Sequence, residues 1–417
     1  MQKNMERKKY KFKSKKKKIF IYHKNTEYKH LPLRLYISKI CKIFTIFILF
    51  YVLFFYIKGF EFNPSNDKVI IESNEYKIFN EIKNKASDND TVKILQEINI
   101  IKHLFSKNSK YYKKTKNLIH ITFSVNNNNN YKYILLVSMF SVLKNCNKRK
   151  TFIIFHILCT PDFEENSIII FKSLLNKFYQ NTEIIFYNMG NHFMNRIDRR
   201  ISQATYYRLI APLFIDSERL IHLDGDTLTF SDLTEMYNLD FNDNYVLGIY
   251  DYFSDDIDYL GIKSEIYINA GVTLFNLKKL KEDKKVYAFL NLTNSNIKLG
   301  SPDQTVINYL LYPKIGRLKS KYAIFNFDDV ADIQVYLNHL RTKIPIEEVE
   351  EALKNPTIIH NVICYPKLWF VHTRKQSGLS ACNKGINCSC KKYFNLWHYF
   401  ANQTDYYNEI ARFTGVK

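Results

Sequence analysis

Two aspartates separated by a single glycine follow an apolar run in the segment from Ile221 to Leu233. Asp224 and Asp226 stand at positions i and i+2 at the end of a predicted strand, so their carboxylates can project to the same side and share one divalent cation. Packing does not explain such a pair, because buried carboxylates without partners are costly. The pattern predicts a metal site for a phosphate-bearing ligand, with a solvated turn as the alternative.

The elements that must position this pair alternate between short apolar runs and longer helical runs. Strands are predicted at 118–124, 151–158, 183–189, 220–223 and 246–253, and helices at 131–143, 163–178 and 204–215. This alternation predicts an α/β fold with a mostly parallel sheet and helices on both faces. Ligands of such sheets gather at the carboxyl ends of the strands, where the asparagine run 126–130, Asp224, Asp226 and Asp251 all fall.

The net charge of +21 is concentrated at the start of the 417-residue chain. Residues 1–60 hold 16 Lys and Arg against two Glu, a net of +14, and the other 357 residues hold 45 bases against 38 acids, a net of +7. The chain is long enough for one large domain or two modest ones. Its globular part is a poor candidate for nucleic-acid binding, and we expect no such partner.

The N-terminal region predicts a membrane anchor. Residues 1–42 are basic and of low complexity, which predicts a cytoplasmic tail. The 15 residues from Ile43 to Ile57 carry no charge, and flanking lysines that can snorkel let a segment 43–60 span a bilayer as a transmembrane signal anchor. A cleaved signal peptide is the alternative, but no small-x-small site follows. The polar stretch 61–116 is predicted to be a stem.

The basic excess before the anchor predicts a single-pass type II membrane protein with a lumenal body, in the Golgi or the ER of a secretory pathway. A bacterial inner-membrane protein with a cytoplasmic body is the other possibility. Three cysteines, Cys382, Cys388 and Cys390, lie close together without a matched C-x-x-C pair, so a zinc site is disfavoured. One disulfide among the three is expected in an oxidising lumen, and its pairing stays open.

Five segments resemble glycosyltransferase family 8, the GT-A family that contains glycogenin and bacterial lipooligosaccharide galactosyltransferases. In order, they are TYYRLIAPLF, IHLDGDTLTFSDLTEMYNLDF, INAGVTLFNLKKL, SPDQTVINYL and IIHNVICYPKLW. The resemblance implies a Rossmann-like GT-A domain over 117–417, including the aromatic and cysteine-containing C-terminal segment. It further implies a retaining enzyme that moves a hexose from a UDP-sugar, with Mn²⁺ bridging the diphosphate, to a glycan, glycoprotein or glycolipid. The donor would be UDP-glucose or UDP-galactose, and UDP-xylose stays open.

The resemblance also implies roles for individual residues. Mn²⁺ ligands would be Asp224, Asp226 and His360, and the two carboxylates are hard ligands that suit this ion. A lone histidine is otherwise a core residue, and His222 is expected to pack within its strand. The donor would be bound by Asn130 and Tyr131 at the base, Lys367 at the phosphates, and Arg208, Asn269 and Ala270 at the sugar. Asp251, Asp303 and Gln304 would be catalytic. Retention needs either a nucleophile, for which Asp303 is a better candidate than Gln304, or front-side attack through an oxocarbenium-like state, which we favour. Asp303 could also act only on the helix dipole.

Two loops depart from the family pattern. Asparagines stand where relatives carry aspartates before Asn130 and Tyr131, and this run could be a compositional insertion. The family's H-x-x-G-x-x-K-P-W reads H-N-V-I-C-Y-P-K-L-W here, with Ile363 in place of the glycine. These departures keep a second hypothesis open, in which the chain is a catalytically inactive relative that binds nucleotide sugars or acts as a membrane scaffold.

Overall fold

The computed structural model describes residues 74–85, 89–127, 130–194, 202–251, 266–295, 301–325, 337–338, 344–361 and 390–414. All of them lie in the compact unit Lys68–Lys417. The predicted tail 1–42 and anchor 43–60 lie outside these residues, as do Lys367, Cys382 and Cys388. Within the described ranges, no helix combines the length and the apolar character needed to cross a membrane.

The domain is built on an eight-stranded sheet and a smaller three-stranded sheet. The described strands are β1 (Asn99–Leu104), β2 (Asn117–Val125), β3 (Thr151–Cys159), β4 (Thr182–Asn188), β5 (Arg219–Leu223), β6 (Thr227–Thr229), β7 (Val246–Tyr250), β8 (Ile268–Asn276), β9 (Ile315–Arg317), β10 (Ile324–Phe325) and β11 (Ile358–His360). The large sheet has the order β1-β4-β3-β2-β5-β8-β7-β9. Strands β4, β3, β2 and β5 pair in parallel. Strand β8 runs antiparallel to both of its neighbours. The predicted mixed, mostly parallel α/β sheet is confirmed.

Burial on both faces explains why the central strands are apolar throughout. Every residue of β3 is buried. On one face of the sheet, odd-numbered residues of β2 such as Ile121 and Phe123 join the core formed with the helix Tyr131–Asn145. On the other face, Ile154 packs in a second core with Tyr206 and Tyr207. A strand covered on both sides needs a near-continuous apolar run, which is the pattern that the sequence carries.

The helices cover these faces, and two of the predicted ones have a different form. The described α-helices are α1 (Asn74–Lys85), α2 (Asn89–Glu97), α3 (Ser109–Thr115), α4 (Tyr131–Asn145), α5 (Glu165–Ile168), α6 (Lys172–Phe178), α7 (Thr234–Tyr237), α8 (Leu277–Glu282), α9 (Lys285–Asn294), α10 (Pro302–Leu311), α11 (Ile346–Lys354), α12 (Cys390–Ala401) and α13 (Tyr407–Thr414). The predicted helix 163–178 is divided, with a 3₁₀ turn between α5 and α6. The predicted helix 204–215 is two 3₁₀ segments, Gln203–Leu209 and Ala211–Leu213. Pro212 has no amide hydrogen to continue an α-helix there.

The range predicted as stem contains part of the sheet. Strand β1 pairs antiparallel with β4 at the edge of the large sheet, from Asn99 opposite Asn188 to Leu104 opposite Ile184. Helix α2, which precedes it, contributes the buried residues Ile94 and Leu95. The packed domain therefore begins before residue 117.

The small sheet lies where the central strand β5 ends. Strand β6 follows β5 after the three residues Asp224, Gly225 and Asp226, and it pairs antiparallel with β11. In that pairing His360 lies opposite Thr227. The chain thus brings a histidine from the C-terminal part of the domain beside the two aspartates.

Candidate active site

The turn between β5 and β6 is fixed by backbone hydrogen bonds. The Asp224 amide donates to the Gly271 carbonyl at 2.7 Å, which joins the turn to β8. The Asp224 carbonyl accepts from the Thr227 amide at 3.2 Å and from the Thr227 hydroxyl at 2.9 Å. The Asp226 carbonyl accepts from the Asn361 amide at 3.1 Å. The backbone that carries both aspartates is therefore held by both sheets.

Asp224, Asp226 and His360 form a compact set of potential metal ligands, with ligand atoms all within 4.8 Å of one another. His360 Nε2 lies 3.1 Å from Asp226 Oδ1 and 3.7 Å from Asp224 Oδ2. The side chain of His360 is 4% exposed, whereas that of Asp224 is 35% exposed. Two carboxylates and an imidazole are a donor set that suits a first-row divalent ion such as Mn²⁺. The open side at Asp224 leaves room for a ligand to approach.

Gly271 provides the space in which these groups meet. A Cβ atom at this position would lie 2.1 Å from His360 Cε1 and 2.6 Å from Asp224 Oδ2. Side chains do not tolerate such distances, so a glycine in the middle of β8 marks a close approach rather than a turn. The residues present therefore fit a divalent cation in both donor chemistry and space.

Asp224 is kept ionised by its neighbours. Arg208 Nη2 donates to Asp224 Oδ1 at 2.8 Å, and His222 Nε2 lies 3.2 Å from the same oxygen. Burial opposes ionisation of this carboxyl, but the positive charge of Arg208 and the hydrogen bond from His222 outweigh it and hold the pKa of Asp224 well below its ordinary value. The Asp224 carboxylate is therefore negatively charged at neutral pH and can bind a cation.

Arg208 connects the metal-site carboxylate to Asp303. Its Nε lies 3.2 Å from Asp303 Oδ2, and its Nη1 donates to the Ala270 carbonyl at 2.6 Å. Thr205 donates its hydroxyl to the other Asp303 oxygen at 2.7 Å. Burial raises the pKa of Asp303, against the attraction of Arg208. Asp303 lies in the first turn of α10, and its Oδ2 is ion-paired with Arg208 without making a hydrogen bond within the described part of the chain.

Asp251, Asn269 and Gln304 form a second network next to this one. Asp251 Oδ2 accepts hydrogen bonds from Asn269 Nδ2 and from Gln304 Nε2, each at 2.9 Å. Gln304 Oε1 in turn accepts from the Ala270 amide at 3.0 Å. Arg208, Asp224, Asn269, Asp303 and Gln304 are among the residues that line a cavity of about 210 Å³. The structure thus gathers the residues predicted to bind the sugar around one polar cavity.

Tyr131 approaches the same turn from the start of α4. Its hydroxyl forms a hydrogen bond with the backbone of Gly225, and a Cβ on Gly225 would lie 2.8 Å from that oxygen. Burial and the charges of Asp226 and Asp224 raise the pKa of the Tyr131 phenol, so it stays neutral. Asn130 is exposed at the N-cap of α4. Lys367, predicted at the phosphates, is not among the described residues.

Sequence reasoning missed two neighbours of the site. Thr205 donates a hydrogen bond to Asp303, and although it begins the segment TYYRLIAPLF, it was not singled out as a site residue. His222 was expected to pack within its strand, and it is indeed fully buried, but its Nε2 also contacts Asp224. Its position two residues before Asp224 was an available signal, because residues i and i+2 of a strand lie on one side.

Solved glycosyltransferases share this fold. The WbbM bifunctional glycosyltransferase superposes with a TM-score of 0.56 and 17% identity, over 71% of this chain and 51% of that one. The galactosyltransferase LgtC, solved with donor and acceptor sugar analogues, gives a TM-score of 0.50 and 22% identity, over 63% of this chain and 93% of that one. The class of fold is therefore GT-A-like.

Residues 120–370 match the family model named Glycosyl transferase family 8, and the chain belongs to this family. A Haemophilus influenzae protein whose name marks it as a candidate glycosyltransferase is 32% identical over 228 residues, which is 52% of this chain and 66% of that protein. The lipopolysaccharide 1,2-glucosyltransferase of Escherichia coli is 27% identical over 210 residues, 46% of this chain and 59% of that protein. The matches thus span less than two thirds of the lengths of these relatives. The family resemblance carried by the five sequence segments is confirmed.

Proposed function

We propose that the protein is a Mn²⁺-dependent glycosyltransferase that moves a hexose, glucose or galactose, from a UDP-sugar to a glycan, glycoprotein or glycolipid. The observation that carries this proposal is the set of Asp224, Asp226 and His360, of which Asp224 lines the polar cavity. Such a site offers a cation for a diphosphate beside hydrogen-bonding groups for a sugar. Membership of the family supports the transfer reaction.

The metal ligands and Arg208 would act on the leaving group. A divalent cation held by the three ligands would neutralise the diphosphate and stabilise UDP as it departs. Asp224 supplies a negative charge for that cation, and the hydrogen bond from Arg208 holds the Asp224 carboxylate in one orientation. Because these groups are held before any substrate arrives, little reorganisation is needed during the reaction.

Asp251, Asp303 and Gln304 would orient the sugar. Asp303 Oδ1 accepts from Thr205, and Oδ2 is ion-paired with Arg208, whose positive charge lowers the nucleophilicity of the carboxylate. Gln304 lines the cavity, and its side-chain amide is held in a fixed orientation by Asp251 and by the backbone of Ala270. These contacts support retention by front-side attack, with the carboxylates stabilising an oxocarbenium-like state.

Tyr131 would stack on the uracil, with Asn130 beside it, and Lys367 would contact the phosphates. The placement of Tyr131 against the turn of Gly225 supports a base site adjoining the metal site. The name of the E. coli relative supports a hexose donor and a glycan acceptor. Anchoring through residues 43–60, with the body in the lumen of the Golgi or the ER, is supported by the charge-free run and the basic residues before it.

A second hypothesis, an inactive relative that binds nucleotide sugars or serves as a membrane scaffold, has no observation in its favour among the described residues. One of the two loops that suggested it, the one that contains Ile363, lies outside those residues. We therefore retain it only as the outcome of a negative result.

The test is hydrolysis of a panel of UDP-sugars by the full-length protein, with Mn²⁺ and with a chelator. Asp226→Asn removes one charge from the ligand set, and Asp243→Asn is the matched control on the surface, where the side chain is 64% exposed. We expect hydrolysis of one UDP-hexose that requires both the metal and Asp226. Turnover that survives chelation and Asp226→Asn would contradict the proposal. Absence of both turnover and metal-dependent UDP binding would favour the scaffold.

A further inference from the structure

The two carboxylate oxygens of Asp224 lie in different surroundings. Oδ1 is 2.8 Å from Arg208 Nη2 and 3.2 Å from His222 Nε2. Oδ2 is 3.7 Å from His360 Nε2 and faces the space left by Gly271. One oxygen is thus turned toward the body of the protein and the other toward the predicted metal.

This division determines how Asp224 can bind a cation. Each oxygen of an ionised carboxylate has about two lone-pair sites. Arg208 and His222 between them use both sites of Oδ1, so only Oδ2 has a lone pair available toward Asp226 and His360. Asp224 is therefore prepared to coordinate through one oxygen rather than two.

His222 is held firmly in this position. Its side chain is 0% exposed, and in the register of the sheet it lies between Thr122 of β2 and Thr273 of β8. Because Nε2 faces a carboxylate oxygen, Nε2 must carry the proton. The other ring nitrogen, Nδ1, is buried and makes no hydrogen bond within the described part of the chain. Within the described part of the chain, the one hydrogen bond of this imidazole is therefore the one that it donates to Asp224.

We propose that His222 is a positioning residue that, together with Arg208, restricts Asp224 to one-oxygen coordination and so sets the metal preference of the site. The inference rests on the proposed metal-dependent function. Ca²⁺ takes six to eight oxygen ligands and readily uses both oxygens of a carboxylate, whereas smaller ions need fewer ligands in a stricter geometry. A site in which Asp224 cannot offer its second oxygen disfavours Ca²⁺ relative to Mn²⁺.

The experiment measures dissociation constants for Mn²⁺ and Ca²⁺ by calorimetry on the full-length protein and three variants. His222→Phe keeps a ring of similar size and removes the donor, and His222→Gln retains an N–H donor. Thr273→Val alters the cross-strand neighbour of His222, whose hydroxyl makes no hydrogen bond within the described part of the chain, without touching Asp224. The readout is metal binding, which does not require substrate or turnover.

We expect His222→Phe to bind Mn²⁺ about 10-fold more weakly, as is usual when a residue that orients a ligand is removed. Its preference for Mn²⁺ over Ca²⁺ should shrink, because Asp224 can then rotate to use both oxygens. His222→Gln should recover part of the preference, and Thr273→Val should match the parent protein.

An unchanged preference in His222→Phe, with the parent protein selecting Mn²⁺, would overturn this inference and leave the proposed function intact. A parent protein that binds no Mn²⁺ would overturn both. If His222→Phe does not fold, the test is the tautomer of His222 in the parent protein, because the proposal requires the proton to be on Nε2. ¹⁵N NMR, with the signal assigned by its loss in His222→Gln, should place the proton on Nε2. A proton on Nδ1 would contradict the proposal.

Discussion

Gly271 lies directly against His360, so that a single methyl group on the glycine would come within 2.1 Å of the imidazole Cε1. The glycine belongs to the large sheet and the histidine to the small one. The two sheets therefore approach each other at the point where the candidate ligands converge. This contact leaves the site no room for a larger residue.

Gly271→Ala is expected to weaken Mn²⁺ binding by more than about 10-fold, because His360 and Asp224 would both have to turn away. Calorimetric titration with Mn²⁺ measures the effect. Gly248→Ala is the matched control, since its Cβ would meet the Ile268 side chain at 2.8 Å on the neighbouring strand, away from the ligands. This control should lose thermal stability and keep its affinity for Mn²⁺. Equal metal binding by Gly271→Ala and the parent protein would contradict the assigned site.

Tyr131 should contribute to nucleotide binding through its ring rather than its hydroxyl. Stacking of a base on an aromatic side chain is worth about 1–3 kcal/mol, so Tyr131→Ala should raise the Kd for UDP by at least about fivefold. Tyr131→Phe keeps the ring and loses only the contact with the backbone of Gly225. Its Kd for UDP should stay within about threefold of the parent value. A larger loss in Tyr131→Phe than in Tyr131→Ala would rule out stacking as the main contribution.

Asp251 should matter for turnover more than for nucleotide binding. Its Oδ2 accepts from both Asn269 and Gln304, and Asp251→Asn would place an amide where a shared acceptor is needed. We expect UDP-sugar hydrolysis to fall by about 100-fold or more, the scale of loss when a positioned electrostatic group is removed, with the Kd for UDP little changed. Parallel measurement of kcat and of UDP binding separates the two effects. A variant that loses UDP binding and retains kcat would place Asp251 at the nucleotide instead.

Stability should fall as the pH is lowered below about 6.5, the ordinary pKa of histidine. His120 Nδ1 and His156 Nε2 lie 2.9 Å apart in the buried sheet. Burial, followed by the charge of Lys113, lowers the pKa of His120 to about 3, and burial and His120 lower that of His156 well below its ordinary value. Both stay neutral in the folded protein and take up protons only on unfolding. The unfolded state therefore binds more protons as the pH falls.

Urea titrations at pH 7.5, 6.0 and 5.0 measure this effect. Each histidine contributes up to about 1.4 kcal/mol per pH unit below its unfolded pKa. Carboxyls with lowered pKa values, such as Glu183 at about 2, lose their contribution only below the ordinary carboxyl range, so they do not account for a change above pH 5. His120→Gln should make the dependence shallower. A free energy of unfolding that is constant from pH 7.5 to 5.0 would contradict the predicted neutral pair.

The central strands were predictable because their apolar character is local. The expected ranges 118–124, 151–158 and 183–189 differ from the observed β2, β3 and β4 by one residue at each end or less. Strand β1 was not predictable, since Ile101 within it continues the three-residue spacing of Leu95 and Ile98, which is typical of a helix. Its extended form depends on pairing with β4, which lies far along the chain.

The candidate site divides in the same way. Asp224 and Asp226 could be found from their spacing alone, because both belong to one turn. His360 lies 134 residues beyond Asp226 and could be assigned only through the family resemblance. The contact between His222 and Asp224 depends on the side-chain direction of Asp224, which Arg208 determines from a separate 3₁₀ segment.

The three ligands also tie together parts of the fold that are otherwise separate. Asp224 directly follows β5 of the large sheet. Asp226 directly precedes β6 of the small sheet, and His360 is the last residue of β11 in the small sheet. A cation bound by all three would act as a cross-link, since it can bind only while both sheets are folded together. At 100 times its Kd, such a ligand adds about 2.7 kcal/mol to the free energy of unfolding. Removal of the metal would then make the protein more sensitive to proteolysis, in addition to any loss of activity.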